Sequence, residues 1–185
     1  MSAGSGGAAG RADGAAGRAV QRVVVIGVGN EFRQDDGVGP EIVNRLSQMV
    51  ADSVHLVVSD GEPARMIEAW TGADLAVVVD ALQVAGTGRP GTGQAGAPAP
   101  GRTHRFVIDE VTAEPASTVS SHGLGLGDAI GLARALDLMP ARLIVHAVEV
   151  TDCGYGVGLT PAVAAAAETI TVAVLRDLRE LGVPI

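Results

Sequence analysis

Two carboxylates in tandem, a third at the end of an apolar run and a histidine set among glycines are the side chains here whose types and spacing could do chemistry. Asp35-Asp36-Gly37-Val38-Gly39 follows the turn Gly27-Val28-Gly29-Asn30, Asp80 ends Leu75-Ala76-Val77-Val78-Val79, and His122 lies in Ser120-Ser121-His122-Gly123-Leu124-Gly125. A carboxylate before a helix has an ordinary duty as N-cap, accepting backbone N–H groups at the positive end of the dipole. One aspartate suffices for that, which leaves its neighbour free. A charge placed where a fully apolar run ends requires a partner or a metal. His122 has little local packing to bury it, so a ligand role is expected over a cap for the helix that follows. Two aspartates and one imidazole can hold a divalent transition metal with positions left open for a group from the substrate. The ligand types do not choose among nickel, zinc, iron and manganese.

These groups need a scaffold that brings distant segments together. From Arg22 onward, short β-branched runs alternate with stretches of helical period, the pattern of a parallel sheet covered on both faces. Strands are expected at Val23–Ile26, Val54–Val58, Leu75–Val79, Arg105–Ile108 and Leu143–Val150. Helices are expected over Pro40–Val50, Pro63–Thr71 and Gly127–Leu138, with a last one opened by the cap and first-turn pair Thr160-Pro161 and stopped after Leu181 by Gly182 and Pro184. The expected fold is therefore α/β: a single three-layer α/β/α domain over residues 21–185 with a mostly parallel five-stranded sheet. In such sheets ligands bind beyond the carboxyl ends of the strands, which is where Asp36, Asp80 and His122 fall. Residues 1–20, rich in Gly and Ala and without an apolar run, read as a disordered tail rather than a secretory or membrane segment. Residues 84–102, with six glycines and three prolines, read as a flexible insertion, a surface excursion or a flap beside the site.

Composition removes several classes of function. The 185-residue chain is long enough for one core, and its net charge of −8 argues against nucleic acid or anionic membrane as partner. A single cysteine, Cys153, excludes an internal disulfide and a multi-thiolate zinc site, in keeping with a reducing cytoplasm; it is read as an unreactive thiol. Neither HExxH nor GxSxG occurs, and Phe32 stands where a dinucleotide fingerprint needs its third glycine. A nucleotide- or phosphate-binding enzyme built on the glycine turn remains an alternative, weakened by Asp35 and Asp36 beside the anion and by the absence of lysine. His55, His104 and His146 are read as structural, and Glu149 as a group that could support the site from behind.

The chain resembles the [NiFe]-hydrogenase maturation endopeptidases over roughly residues 22–182. The resemblance rests on Val24-Val25-Ile26-Gly27-Val28-Gly29-Asn30 with Asp35-Asp36-Gly37-Val38-Gly39-Pro40, on Asp60-Gly61, on Val77-Val78-Val79-Asp80-Ala81, on Ser121-His122-Gly123-Leu124-Gly125-Leu126 and on Gly156-Val157-Gly158-Leu159-Thr160-Pro161. It implies that Asp36, Asp80 and His122 contact nickel, with Asp36 and Asp80 as catalytic groups of an aspartic-type or metal-dependent protease. Gly29, Asn30, Asp35, Gly37 and Ser121 would support them. It further implies that the nickel arrives already bound in the substrate, a [NiFe]-hydrogenase large-subunit precursor whose C-terminal extension is removed after metal insertion. No resident organic cofactor is implied. Some members carry Glu at the position of Asp36, and Asp keeps the ligand type with a shorter reach. Where Glu62 stands in Asp60-Gly61-Glu62-Pro63, the family often has a second glycine. A metallochaperone that binds the same precursor without cutting it is the remaining alternative.

Overall fold

Six consecutive buried residues, Val23–Val28, form strand β1, and burial on both of its faces demands a layer above and a layer below. The structure is a computed structural model that describes residues 22–83, 99–109 and 125–185. The expected tail, residues 84–98 of the insertion, Ser121 and His122 lie outside the described residues. After β1 come one turn of 3-10 helix (Gln34–Gly37), helix α1 (Val38–Leu46), strand β2 (Val54–Ser59), helix α2 (Pro63–Trp70) and strand β3 (Leu75–Gln83). Strand β4 (Thr103–Asp109), helix α3 (Leu126–Ala135), strand β5 (Arg142–Val150) and helix α4 (Pro161–Glu180) complete the order.

The sheet runs β2-β1-β3-β5-β4. Its ladders are parallel except for the edge pair β4–β5. Alternate residues of each central strand serve opposite faces. Val23, Val25, Val77 and Val79 pack with Ile42 and Leu46 of α1 and with Ile170 and Val174 of α4. Val24, Ile26 and Val78 pack with Met66 and Trp70 of α2 and with Ala129 and Ile130 of α3. Each such fully buried aliphatic side chain contributes about 1.5–3 kcal/mol, so the period of two along the strands fixes the three layers.

Several boundaries differ from the sequence reading. Helix α1 begins two residues before Pro40 and ends at Leu46, which leaves Met49 half exposed beyond it rather than on the buried stripe. Strand β2 is not apolar on both faces: as an edge strand it exposes His55 and Val58. Strand β3 continues past Val79, so Asp80 lies within the strand instead of after it.

That extension shapes the site. The β1–β3 ladder ends at Gly27↔Val79, whereas β3 stays paired with β5 from Ala76↔Leu143 to Gln83↔Val150. Beyond β1 the chain crosses to β2 at one edge, and beyond β3 it passes to the β5–β4 side. Two neighbouring strands thus send their carboxyl ends apart, and the crevice left between them is where open α/β sheets bind ligands.

Candidate functional site

A cavity of about 440 Å³ opens at this crevice, with Asp36, Asp60, Glu62 and Asp80 in its lining and Arg33 as the only cation among the lining residues described. Asp36 arrives there from the loop after β1. Gly29 begins the turn at φ +133, and a Cβ on it would run into the Asp36 carbonyl oxygen, so only glycine lets the two segments approach this closely. The Asn30 side-chain oxygen accepts the Phe32 N–H at 2.9 Å, and the Asn30 N–H donates to Asp36 Oδ2 at 3.0 Å. Gly37, buried, passes the chain into α1.

The tandem aspartates divide their duties, though not as capping would have it. Asp35 is fully buried and accepts the Thr160 N–H at 2.7 Å and the Thr160 hydroxyl at 3.0 Å, stapling the loop after β1 to the start of α4. Neither aspartate caps α1, whose first position follows Gly37 with no side-chain bond. Thr160 and Pro161 take their expected N-cap and first-turn places, but the Thr160 hydroxyl makes no capping bond to α4 and donates to Asp35 instead.

Asp80 reaches the cavity from β3 at the level where β1 has turned away. Burial pushes its carboxyl up from 3.8 to about 7; the Ala81 N–H opposes the rise and the negative charge of Asp36 adds to it. A carboxyl in that range exchanges a proton near neutral pH, which suits it to acid–base work or to losing its proton against a cation.

Cys153 also lines the cavity, placed there by the loop after β5. Burial and the charge of Asp36 push its thiol up, with Arg33 opposing only in part, so it stays protonated and is a poor nucleophile. Glu62 does not face the cavity as a free charge, because its carboxylate caps α2, accepting the Ala64 and Arg65 N–H groups at 3.1 and 2.9 Å. The sequence reading did not place Arg33, Asp60 or Cys153 at the site, although it quoted Asp60 in a motif and read Cys153 as an unreactive thiol. The carboxyl-end rule applied to β5 would have found Cys153.

Among the described residues no group of three or more His, Cys, Asp and Glu side chains is arranged to hold a metal ion. Asp36 and Asp80 are brought together as two. Gly125 and Leu126 form part of the cavity wall, and Ser121 and His122 precede them outside the described residues. The other histidines stand apart from the cavity lining: His55 is exposed, His146 is buried against Asp177, and His104 bonds Glu149 at 2.9 Å. Glu149 accepts from Ala99 N–H, Arg102 and His104, and so anchors the chain entering β4.

The family model described as hydrogenase maturation protease matches residues 40–177. The hydrogenase 2 maturation protease of Escherichia coli strain K12 is 30% identical over 166 residues, which span 88% of this chain and 93% of that protein. The hydrogenase expression/formation protein HupD of Rhodobacter capsulatus is 28% identical over 171 residues, 89% of this chain and 75% of its own length. Among solved structures, the hydrogenase maturating endopeptidase HybD of Escherichia coli superposes with a TM-score of 0.68 at 28% identity, covering 88% of this chain and 97% of that one. The maturation protease HybD of Thermococcus kodakarensis, at 21% identity and a TM-score of 0.60, shares the fold over 85% of this chain and 98% of its own. With the matched region spanning most of the chain and the fold in common with such enzymes, this protein belongs to the hydrogenase maturation proteases.

Proposed function

We propose that this protease removes the C-terminal extension of a [NiFe]-hydrogenase large-subunit precursor in the cytoplasm, and that it does so only once nickel is in place. Asp36, Asp80 and His122 are the groups that meet the nickel, which comes with the substrate. The observation that carries the reading is that Asp36, from the loop after β1, and Asp80, from within β3, line one acidic cavity at the crevice between these strands. A crowded pair of carboxylates favours a cation, because a divalent ion removes their mutual repulsion and the cost of burying Asp80 charged. The same acidity speaks against a phosphate ligand.

Chemically, the peptide C–N bond breaks as a water oxygen adds to the acyl carbon, one product keeping the new carboxylate and the other receiving the proton as an amine. Nickel beside the scissile bond could polarise the carbonyl, or serve as the handle by which loaded precursor is told from empty. In either role Asp36 and Asp80 orient it, and Asp80 is placed to pass a proton.

Incubating the protein with candidate precursors, nickel-loaded and nickel-free, and reading the products by mass spectrometry tests this. Loaded precursor alone should lose its extension. Equal shortening of nickel-free precursor would defeat the nickel-dependent reading, and binding without shortening would make the chain a metallochaperone.

A further inference from the structure

The chain has two phenylalanines, one tyrosine and one tryptophan. Trp70 is buried and Phe106 packs against the same core, yet Phe32 is 61% exposed and Tyr155 is 98% exposed, with Val157 at 75%. These three are neighbours. The Gly156 N–H donates to the Phe32 carbonyl at 3.0 Å and the Gln34 N–H donates to the Gly156 carbonyl at 3.0 Å, so two loops run side by side with Tyr155 and Val157 flanking the bonded glycine.

The loops are held stiffly under these side chains. The Asp35 N–H donates to the Asp152 carbonyl at 3.1 Å, Arg33 Nε donates to the Cys153 carbonyl at 3.3 Å, and Asp35 takes both donors of Thr160. Gln34 sits at φ 50 and Gly156 at φ +154, where a Cβ would run into the Gln34 side chain. Gly156 adopts its positive φ freely, whereas a non-glycine residue such as Gln34 at φ 50 persists there only where its surroundings over-determine it. Arg33 and Cys153, from these same two loops, line the acidic cavity, which makes the apolar patch its rim.

We propose that Phe32, Tyr155 and Val157 form a docking rim that grips apolar residues of the precursor beside the segment to be cut, an inference that rests on the function proposed above. Rigid aromatic side chains bury a large area at low entropic cost and commonly anchor interfaces. Charge selects this occupant over a second copy of the chain. Among its described lining residues the adjoining cavity presents Asp36, Asp60 and Asp80 against Arg33, and the chain carries −8 with no lysine. Two such faces repel, whereas a partner bearing a metal cation or basic side chains next to apolar ones is drawn in.

The test compares wild type, F32A/Y155A, Y155A and V172A in steady-state shortening of nickel-loaded precursor, with sedimentation of each protein alone. Val172, 67% exposed on α4 outside the cavity lining, is the control. The double variant should show KM raised roughly tenfold or more with kcat retained, Y155A a smaller rise and V172A none. Because the Tyr155 side chain is almost wholly in solvent, Y155A reports on docking without disturbing the fold. Unchanged KM in both rim variants while wild type cuts would overturn the rim and leave the proposed function standing. Self-association of wild type that F32A/Y155A abolishes would reassign the patch to a second copy. A wild type that neither binds nor shortens loaded precursor defeats the proposed function itself, and the rim with it.

Discussion

Two clusters in this molecule use the same residue types to opposite ends. In one, Asp177 of α4 is 1% exposed and meets Arg105 through two bonds of 3.0 Å and His146 Nε2 at 2.9 Å. Burial, with the charges of Arg105 and Arg176, lowers the basicity of His146 against the opposing pull of Asp177. In the other, Asp80 has the Ala81 N–H and, across the cavity, the like charge of Asp36. The first cluster is closed, its charge matched and its acceptors filled by the fold. The second has two carboxyls facing one cavity with, among the described residues, no cation bonded to either, an arrangement that something else is expected to complete. An Asp with a nearby His is therefore no mark of a site; a carboxyl with no neutralising partner among the described residues is the better guide.

The sharpest way to break this contrast is to substitute both clusters and read activity beside stability. Asp36→Asn and Asp80→Asn should each lower cleavage of nickel-loaded precursor by about 10³-fold, equivalent to about 4 kcal/mol of barrier. Asp36→Asn keeps an oxygen for the Asn30 N–H, so lost activity there would not come from a broken loop. Near-normal turnover by Asp80→Asn would remove that carboxylate from the chemistry and reduce the nickel to a handle.

Next in size is Asp177→Ala, which strands the Arg105 guanidinium and the His146 ring. It should cost about 3 kcal/mol of folding free energy, seen as a lower urea midpoint, while the folded fraction cuts at the wild-type rate. A loss of kcat with unchanged stability would show that the two clusters are not distinct in kind.

Much of the frame was legible in the sequence because it depends on local period. Val23–Val28 and Leu75–Val79 announce buried strands, and Pro63 and Pro161 mark true first turns. What failed were features set by distant partners. The end of β3 is decided by pairing with β5, which carries it through Asp80 to Gln83. The role of Asp35 is decided by Thr160, 125 residues away, and nothing local separates it from Asp36. The exposure of Phe32 and Tyr155 follows from two loops meeting at Gly156, a contact without periodicity to betray it. Of the site, Asp36 and Asp80 were legible as charges beside apolar strand ends, and their convergence required the crossover order.

The last prediction turns on pH and applies the contrast to a single kind of substitution. The Asp80 carboxyl has its folded value raised from 3.8 to about 7, so the folded chain holds this proton more tightly than the unfolded one. Between those two values the unfolded state binds fewer protons, and stability falls as pH rises; above about 7 the whole cost of a buried charge is present. Asparagine carries no charge to bury. Asp80→Asn should therefore be more stable than wild type at pH 8, by a few kcal/mol, with the gain shrinking toward nothing near pH 4. Asp177→Asn should go the other way at pH 8, because there the charge removed was one its neighbours needed. Urea unfolding of both variants at the two pH values gives the comparison directly. If Asp80→Asn proved less stable than wild type at pH 8, Asp80 would belong with Asp177 as a structural carboxylate.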